Sequence, residues 1–218
     1  MHWYGFFILV GILLVYVLNV LYVQYKKISI DISELAIYIY FAAFLGGKII
    51  YILFDCGSIL NLNVSLDLFY GGFSLLGASF FALNSLLYYV KKNKVLSLLD
   101  SFLPISLLFL HSFGRIGCYF ADCCGGIFYS LNLHFVAILF YFIAAVLGLF
   151  LNHFRCLLSF CGGVQYYILF IFLERFIFDS YRFDAVFVNS FFTKYQIFAL
   201  WYLFLSFFSI SFFKKKSL

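Results

Sequence analysis

Proline is nearly absent from this 218-residue chain, which carries a single one, and that argues against a disordered or loop-rich protein. Charge is scarce as well. Charged residues make up 11% of the sequence, against about 25% in a soluble domain. Too little polar surface remains to coat a water-soluble globule, so composition excludes one. What the chain has in excess is apolar and aromatic: 66% hydrophobic residues, with 34 Phe and 18 Tyr. The natural solvent for such a chain is lipid. The net charge of +5 does not point to nucleic acid, because the basic residues form short clusters between long apolar runs. These are Lys26-Lys27, Lys91-Lys92 with Lys94, and Lys214-Lys215-Lys216. That is the patterning of membrane topology and not of a stripe that tracks phosphates. The opening Met1-His2-Trp3-Tyr4 has no basic segment and no small-residue cleavage site, so the first apolar run is expected to be retained and not removed as a signal peptide.

A helix needs about 20 apolar residues to cross the hydrocarbon core. Seven stretches meet that length: 3–24, 35–54, 69–90, 101–121, 131–151, 157–174 and 195–213. Their unbroken runs lack the period-two alternation of a β-barrel. The expected architecture is all-α, a polytopic membrane protein with a seven-transmembrane-helix bundle, formed as a single integral membrane domain over residues 1–218. Lys and Arg then orient it. Lys26, Lys27, Lys91, Lys92, Lys94, Arg155 and the three tail lysines fall on one side; Arg115, Arg175, Arg182 and Lys194 fall on the other, with Lys48 inside the second span. The side with more cations belongs in the cytoplasm. The N-terminus is therefore expected outside and the C-terminus inside.

Charges embedded in spans are costly and usually have a reason. Arg115 and Lys48 each lie roughly six residues, or ~9 Å, below the outer ends of their spans. Arg175 stands at the expected outer end of the sixth helix, with Asp179 at i+4 and Arg182 at i+7 on one face. Each has an ordinary reading: a lone arginine at a helix end anchors headgroups, and Arg175 with Asp179 forms an intrahelical ion pair. Their convergence at one depth argues instead for a phosphate, since guanidinium forks match phosphate oxygens in pairs. Gly71-Gly72, Gly77, Gly114, Gly117 and Gly125-Gly126 flank the same outer region, and Gly46-Gly47 precede Lys48. Small residues let helices, or a ligand, approach backbone closely.

Groups able to move a proton near the outer face are Tyr4, Tyr70, His111, Asp122, His134, Glu174 and Asp179. His111 sits one turn from Arg115 on the same face. The spacing of Cys118, Cys123 and Cys124 matches no common zinc pattern, and these cysteines are read as small apolar residues. No G-x-S-x-G elbow, H-E-x-x-H pair or phosphate-binding loop occurs.

The segment from His111 through Gly-Arg115-Ile-Gly-Cys118 to Gly125-Gly126 resembles the signature of the prolipoprotein diacylglyceryl transferase family, in which a G-R-[IL]-G run is followed by a glycine. Trp3-Tyr4-Gly5 is similar to the family's opening. Gly46-Gly47-Lys48-Ile49-Ile50-Tyr51 resembles its small-small-Arg-x-x-Tyr stretch, with Lys for Arg. Phe69-Tyr70-Gly71-Gly72 stands where the family has F-H-G-G, and Arg175-Phe176 through Asp179 to Arg182 resembles R-F-x-x-E-x-x-R, with Gln196 at the place of a late Gln. The sequence departs from the family at Tyr70 for the His and at Cys118 and Cys123 for an Asn and a Glu. The family's H-P-x-Q-L-Y-E run survives at best as His134, followed by Phe135.

The resemblance implies an enzyme of the bacterial cytoplasmic membrane, with its active site facing the outer leaflet. Such an enzyme moves the diacylglyceryl group of phosphatidylglycerol to the lipobox cysteine of a preprolipoprotein and uses no metal or organic cofactor. Its expected catalytic residues here are Arg115 and Arg175, on the leaving phosphate, and Tyr70 or His111 as the proton acceptor. Tyr4, Lys48, Gly71, Gly72, Gly126, Asp179 and Arg182 are the expected substrate-binding residues, with Asp179 orienting Arg175. The cavity is expected to open sideways to lipid between Tyr4, Tyr70, Arg115 and Arg175. Two alternatives stand beside this: a catalytically altered member that binds lipid or lipoprotein or modifies another lipid-linked group, and a transporter or channel.

Overall fold

The computed structural model describes residues 2–54, 74–95, 102–122, 125–153, 162–188 and 191–217. Within them the chain forms seven helices: α1 (His2–Lys26), α2 (Ile32–Phe54), α3 (Leu75–Asn93), α4 (Phe102–Phe120), α5 (Leu133–His153), α6 (Gly162–Phe178) and α7 (Lys194–Ser217). Five of these, α1, α2, α4, α5 and α7, are long and apolar enough to cross a membrane. The sequence reading of a mostly helical chain holds. Its third stretch, 69–90, begins outside the described residues.

The chain divides into two compact units, residues 1–32 with 96–204 and residues 33–95 with 205–218. In the first, α4 packs against α1, α5 and α6. Lipid removes the hydrophobic drive between helices, so small residues and interhelical hydrogen bonds must hold them together. The α1–α4 contact shows both. A Cβ on Gly11 would lie 2.9 Å from Leu110 and Phe113 side chains, and one on Gly117 would lie 3.2 Å from the Tyr4 backbone. Deeper along α1, the buried Asn19 donates to the Val15 carbonyl (2.8 Å) and to Ser106 Oγ (3.0 Å). The opposite face of α1 presents Trp3, Phe6, Leu9, Leu13, Val17 and Leu21, each more than half exposed. That is the inverse of a soluble amphipathic helix: small or polar groups inward, large apolar groups outward. Helix α5 repeats the pattern, burying Ala137, Ala144 and Ala145 and exposing Phe135, Leu139, Phe142 and Val146.

A short hairpin precedes α5: β1 (Ile127–Phe128) pairs antiparallel with β2 (Leu131–Asn132). Its two-residue turn, Tyr129-Ser130, has φ of 45° and 67°, the positive values that a type I′ turn demands. The fifth stretch was expected to be helical from 131. Residues 131–132 are instead the second strand, and Asn132 Oδ1 then accepts from the His134 amide at 2.9 Å to start the helix.

In the second unit α2 and α3 meet through glycine. A Cβ on Gly77 would stand 2.5 Å from the Gly46 carbonyl oxygen and from Ile50 Cβ, and one on Gly46 would stand 2.5 Å from the Phe81 side chain. Ser74 caps α3, its Oγ accepting from the Gly77 amide at 3.4 Å while its own amide donates to the Gly47 carbonyl at 3.0 Å. At the other end Lys92 pairs with Glu34 at 3.4 Å. Backbone this close cannot yield. Gly77→Val is therefore expected to cost about 1–3 kcal/mol of stability through overpacking, seen as a lower thermal midpoint in detergent. Gly5→Val, where a Cβ would meet nothing within 4 Å, should leave the midpoint unchanged.

Candidate functional site

The first unit buries a cluster of charge. Arg115 on α4 is 6% exposed and Glu174 on α6 is fully buried. Arg115 Nη2 donates to Glu174 Oε1 across the two helices. The neighbouring residue, Arg175, brings its Nε to 3.3 Å from Glu174 Oε2, with a side chain 13% exposed. One carboxylate thus stands between two guanidiniums. One turn before Arg115, His111 shares a 2.8 Å hydrogen bond with the Tyr167 hydroxyl and lies against the ring of the fully buried Tyr141. The Tyr4 backbone lies against Gly117, two residues beyond Arg115. Paired arginines in a dry, helical setting are suited to hold a phosphate and to stabilise charge that grows on it.

A second cluster closes the end of α6. Asp179 begins a 3₁₀ turn through Tyr181. Its Oδ1 accepts from Arg182 Nη1 at 3.2 Å and its Oδ2 from Thr193 Oγ1 at 2.6 Å. Arg182 also donates to both oxygens of Asp184, at 2.9 and 2.6 Å. Thr193 and Gln196 form a reciprocal cap on α7: the Thr193 amide donates to Gln196 Oε1 (2.9 Å) and the Gln196 amide to Thr193 Oγ1 (3.2 Å). This is the capping box, in which two residues three apart satisfy each other's orphan amides. Gln196 Nε2 further donates to the Phe176 carbonyl at 2.7 Å, tying α7 to α6.

The family model for prolipoprotein diacylglyceryl transferase matches residues 1–212. The chain belongs to that family. It is also similar to the phosphatidylglycerol–prolipoprotein diacylglyceryl transferase of Clostridium tetani (strain Massachusetts / E88), 39% identical over 84 residues that make up 38% of this chain and 33% of that protein. The match thus spans a third of the length of that curated relative. With several helices able to cross a membrane, this member of the diacylglyceryl transferase family is a multi-pass membrane protein.

The structure brings Arg115, Arg175 and His111 into one neighbourhood, with Tyr4 beside Gly117. It holds Lys48 buried in α2, within the other unit. Tyr70, Gly71 and Gly72 lie outside the described residues, as do Cys123 and Cys124. Gly126 has a packing reason for its identity: its backbone bridges Arg182, and a Cβ would run into the Tyr181 carbonyl oxygen. The expected pairing of Asp179 with Arg175 is corrected. The carboxylate turns to Arg182 and Thr193, because the chain tightens into the 3₁₀ turn at Asp179 and leaves the helical register that i, i+4 spacing assumes. Glu174 takes the partner's role for Arg175. Helix α6 was expected to end at 174 and runs to Phe178, because the charges at 174 and 175 are paired inside the bundle. Sequence reasoning named Glu174 only as a proton-transfer candidate; an acid adjoining an embedded arginine was the available signal. Tyr141 and Tyr167 had none, being two among 18 tyrosines.

Asp179→Ala would strip Thr193 and Arg182 of a shared acceptor and is expected to cost about 1–3 kcal/mol, read as a lower thermal midpoint and faster proteolysis between residues 182 and 193. The Asp184 carboxyl has its own pH signature. Partial burial pushes it up, but the hydrogen bond and charge of Arg182 outweigh this and hold it below its ordinary value of 3.8. A depressed carboxyl contributes stability that is present above the ordinary value and lost as pH falls through its own lower one. Amide exchange over 182–188, normalised for intrinsic rates, is expected to quicken as pH drops below about 4, and Asp184→Asn should abolish that dependence.

Proposed function

We propose that the chain transfers the diacylglyceryl group of phosphatidylglycerol to the lipobox cysteine of a preprolipoprotein, releasing glycerol phosphate. The observation that carries this reading is the buried Arg115–Glu174–Arg175 group inside a family match that runs over almost the whole chain. In the reaction the thiol loses its proton to a base, because the thiolate is the nucleophile. The sulfur then attacks the glycerol carbon, a C–S bond forms, and the C–O bond to phosphate breaks with its electron pair passing to the phosphate oxygen. A phosphodiester with one negative charge leaves as a phosphomonoester with two. Arg115 and Arg175 are assigned to that growing charge. The proton goes to His111 or Tyr70; Tyr70 is a phenol with an ordinary pKa near ~10 and needs help to act at neutral pH.

Tyr4, Lys48, Gly71 and Gly72 are assigned to the lipid headgroup, and Gly126, Asp179 and Arg182 to the frame of the site. The site faces the outer leaflet of the bacterial cytoplasmic membrane and opens sideways to lipid. Seven spans form one integral membrane domain, with the N-terminus outside and the C-terminus in the cytoplasm. A second reading, a member that binds lipid or lipoprotein without transfer, is favoured by Tyr70 and Cys118 standing where the family pattern has His and Asn.

Expressed in a bacterium depleted of its own transferase, the chain is expected to add a diacylglyceryl mass to the cysteine of a reporter lipoprotein. Arg115→Ala should lower the rate by at least about 100-fold at equal membrane abundance. Transfer by that variant at the native rate would remove Arg115 from the reaction. No transfer by the native chain with purified lipid and lipobox peptide would favour the second reading.

A further inference from the structure

Two guanidiniums side by side carry +2, and a low-dielectric site of that charge would hold a dianion best. Glu174 changes the balance. It is fully buried, it touches Arg115 through Oε1, and its Oε2 lies 3.3 Å from Arg175 Nε. The group as a whole therefore carries +1. The pairing engages Arg115 through Nη2 and Arg175 through Nε, so the terminal nitrogens of Arg175, on the more exposed of the two side chains, form the fork that a phosphate would take.

Building on the transfer reading above, we propose that Glu174 sets the charge of the phosphate site and makes it select a singly charged phosphodiester lipid over a doubly charged phosphomonoester. Glu174 is a positioning and specificity-determining residue that acts through Arg115 and Arg175. The charge balance gives it a purpose in turnover. A +1 group neutralises the phosphodiester that enters and leaves the phosphomonoester that forms with an excess negative charge, which favours its release. With Gln at 174 the group would be +2, matched to the product and to any phosphomonoester lipid.

The test compares short-chain phosphatidylglycerol with short-chain phosphatidic acid, whose second phosphate proton dissociates near about pH 6 in a phosphomonoester. Affinities of the purified full chain for each are measured in neutral detergent at pH 5 and pH 8.5. Among the described residues, the other titratable groups about the cluster are His111 and Cys118 on α4, His134 and Tyr141 on α5, Tyr167 on α6 and, past the end of α6, Asp184. Phosphatidylglycerol keeps one charge throughout, so its own affinity at the two pH values reports what their titration does to a singly charged lipid. In the native chain the preference for phosphatidylglycerol is expected to rise by about tenfold between the two pH values. Glu174→Gln should reverse the trend and Glu174→Asp should restore it.

A native preference that is flat, or that shifts toward phosphatidic acid as pH rises, overturns the proposal, as does failure to bind either lipid. The native ratio decides this even if Glu174→Gln does not fold. Transfer to a lipobox peptide is assayed in the same preparation. Charge selection without transfer would remove the transfer reading and keep the role of Glu174; transfer without charge selection would do the reverse.

Discussion

An arginine in the interior of a membrane protein needs a counter-charge, and the arrangement of the first unit follows from how Arg115 obtains one. Removing one partner from a buried pair costs about 3–5 kcal/mol, because the remaining charge is left uncompensated. Glu174 supplies the negative charge from another helix, so α4 and α6 are held in a fixed register by a single carboxylate. Arg175 shares that carboxylate, and α6 can continue past two charged residues to Phe178 before it turns. The neighbouring polar groups fall into place around the same contact. His111 is carried by α4 one turn away and meets Tyr167 on α6, with Tyr141 of α5 against its ring.

The remaining helix contacts obey the constraint that lipid imposes. Large apolar side chains gain little by facing each other when the solvent is itself apolar, so many of them line the outside, although Leu35, Ile105, Leu108, Ile168 and Ile171 are buried. The closest approaches between helices are left to residues that permit close contact or hydrogen bonding. Gly11, Gly117 and Asn19 do this between α1 and α4; Gly46 and Gly77 do it between α2 and α3. Gly11, Gly46, Gly77 and Gly117 therefore answer a packing requirement, whereas Gly5 has open space and Gly114 and Gly125 make only ordinary contact. Close packing explains Gly126 as well, whose missing side chain admits the backbone of residues 181–182.

Family membership and site geometry meet at one point of physical chemistry. A reaction that turns a phosphodiester into a phosphomonoester adds one negative charge to the leaving group. A site for it must favour that growth without trapping the result. Under the proposed reading, two arginines alone would satisfy the first demand and fail the second, and the carboxylate of Glu174 would moderate both. The Asp179–Arg182–Asp184 and Thr193–Gln196 contacts stand apart from this, binding the end of α6 to the start of α7 and giving the embedded charges a rigid frame.

The helical, membrane-embedded character of the chain was legible in the sequence because it depends on sums: long apolar runs, little charge and one proline. The ordered set of motifs also pointed to the family, and the i, i+4 spacing of His111 and Arg115 placed them on one face, since helical periodicity is local. Partner choice was not legible. Nothing in the order of residues says that Arg115 meets Glu174, 59 positions away, or that Asp179 turns to Thr193 and not to Arg175. The Thr193–Gln196 cap was visible in principle as a T-x-x-Q spacing, yet Gln196 drew attention only through family likeness. Composition and periodicity are properties of the chain, and they determined its solvent and its helices. Which charge neutralises which depends on the approach of separate helices, and only the tertiary structure decides that, because a buried ion pair forms across whatever backbone the packing brings near.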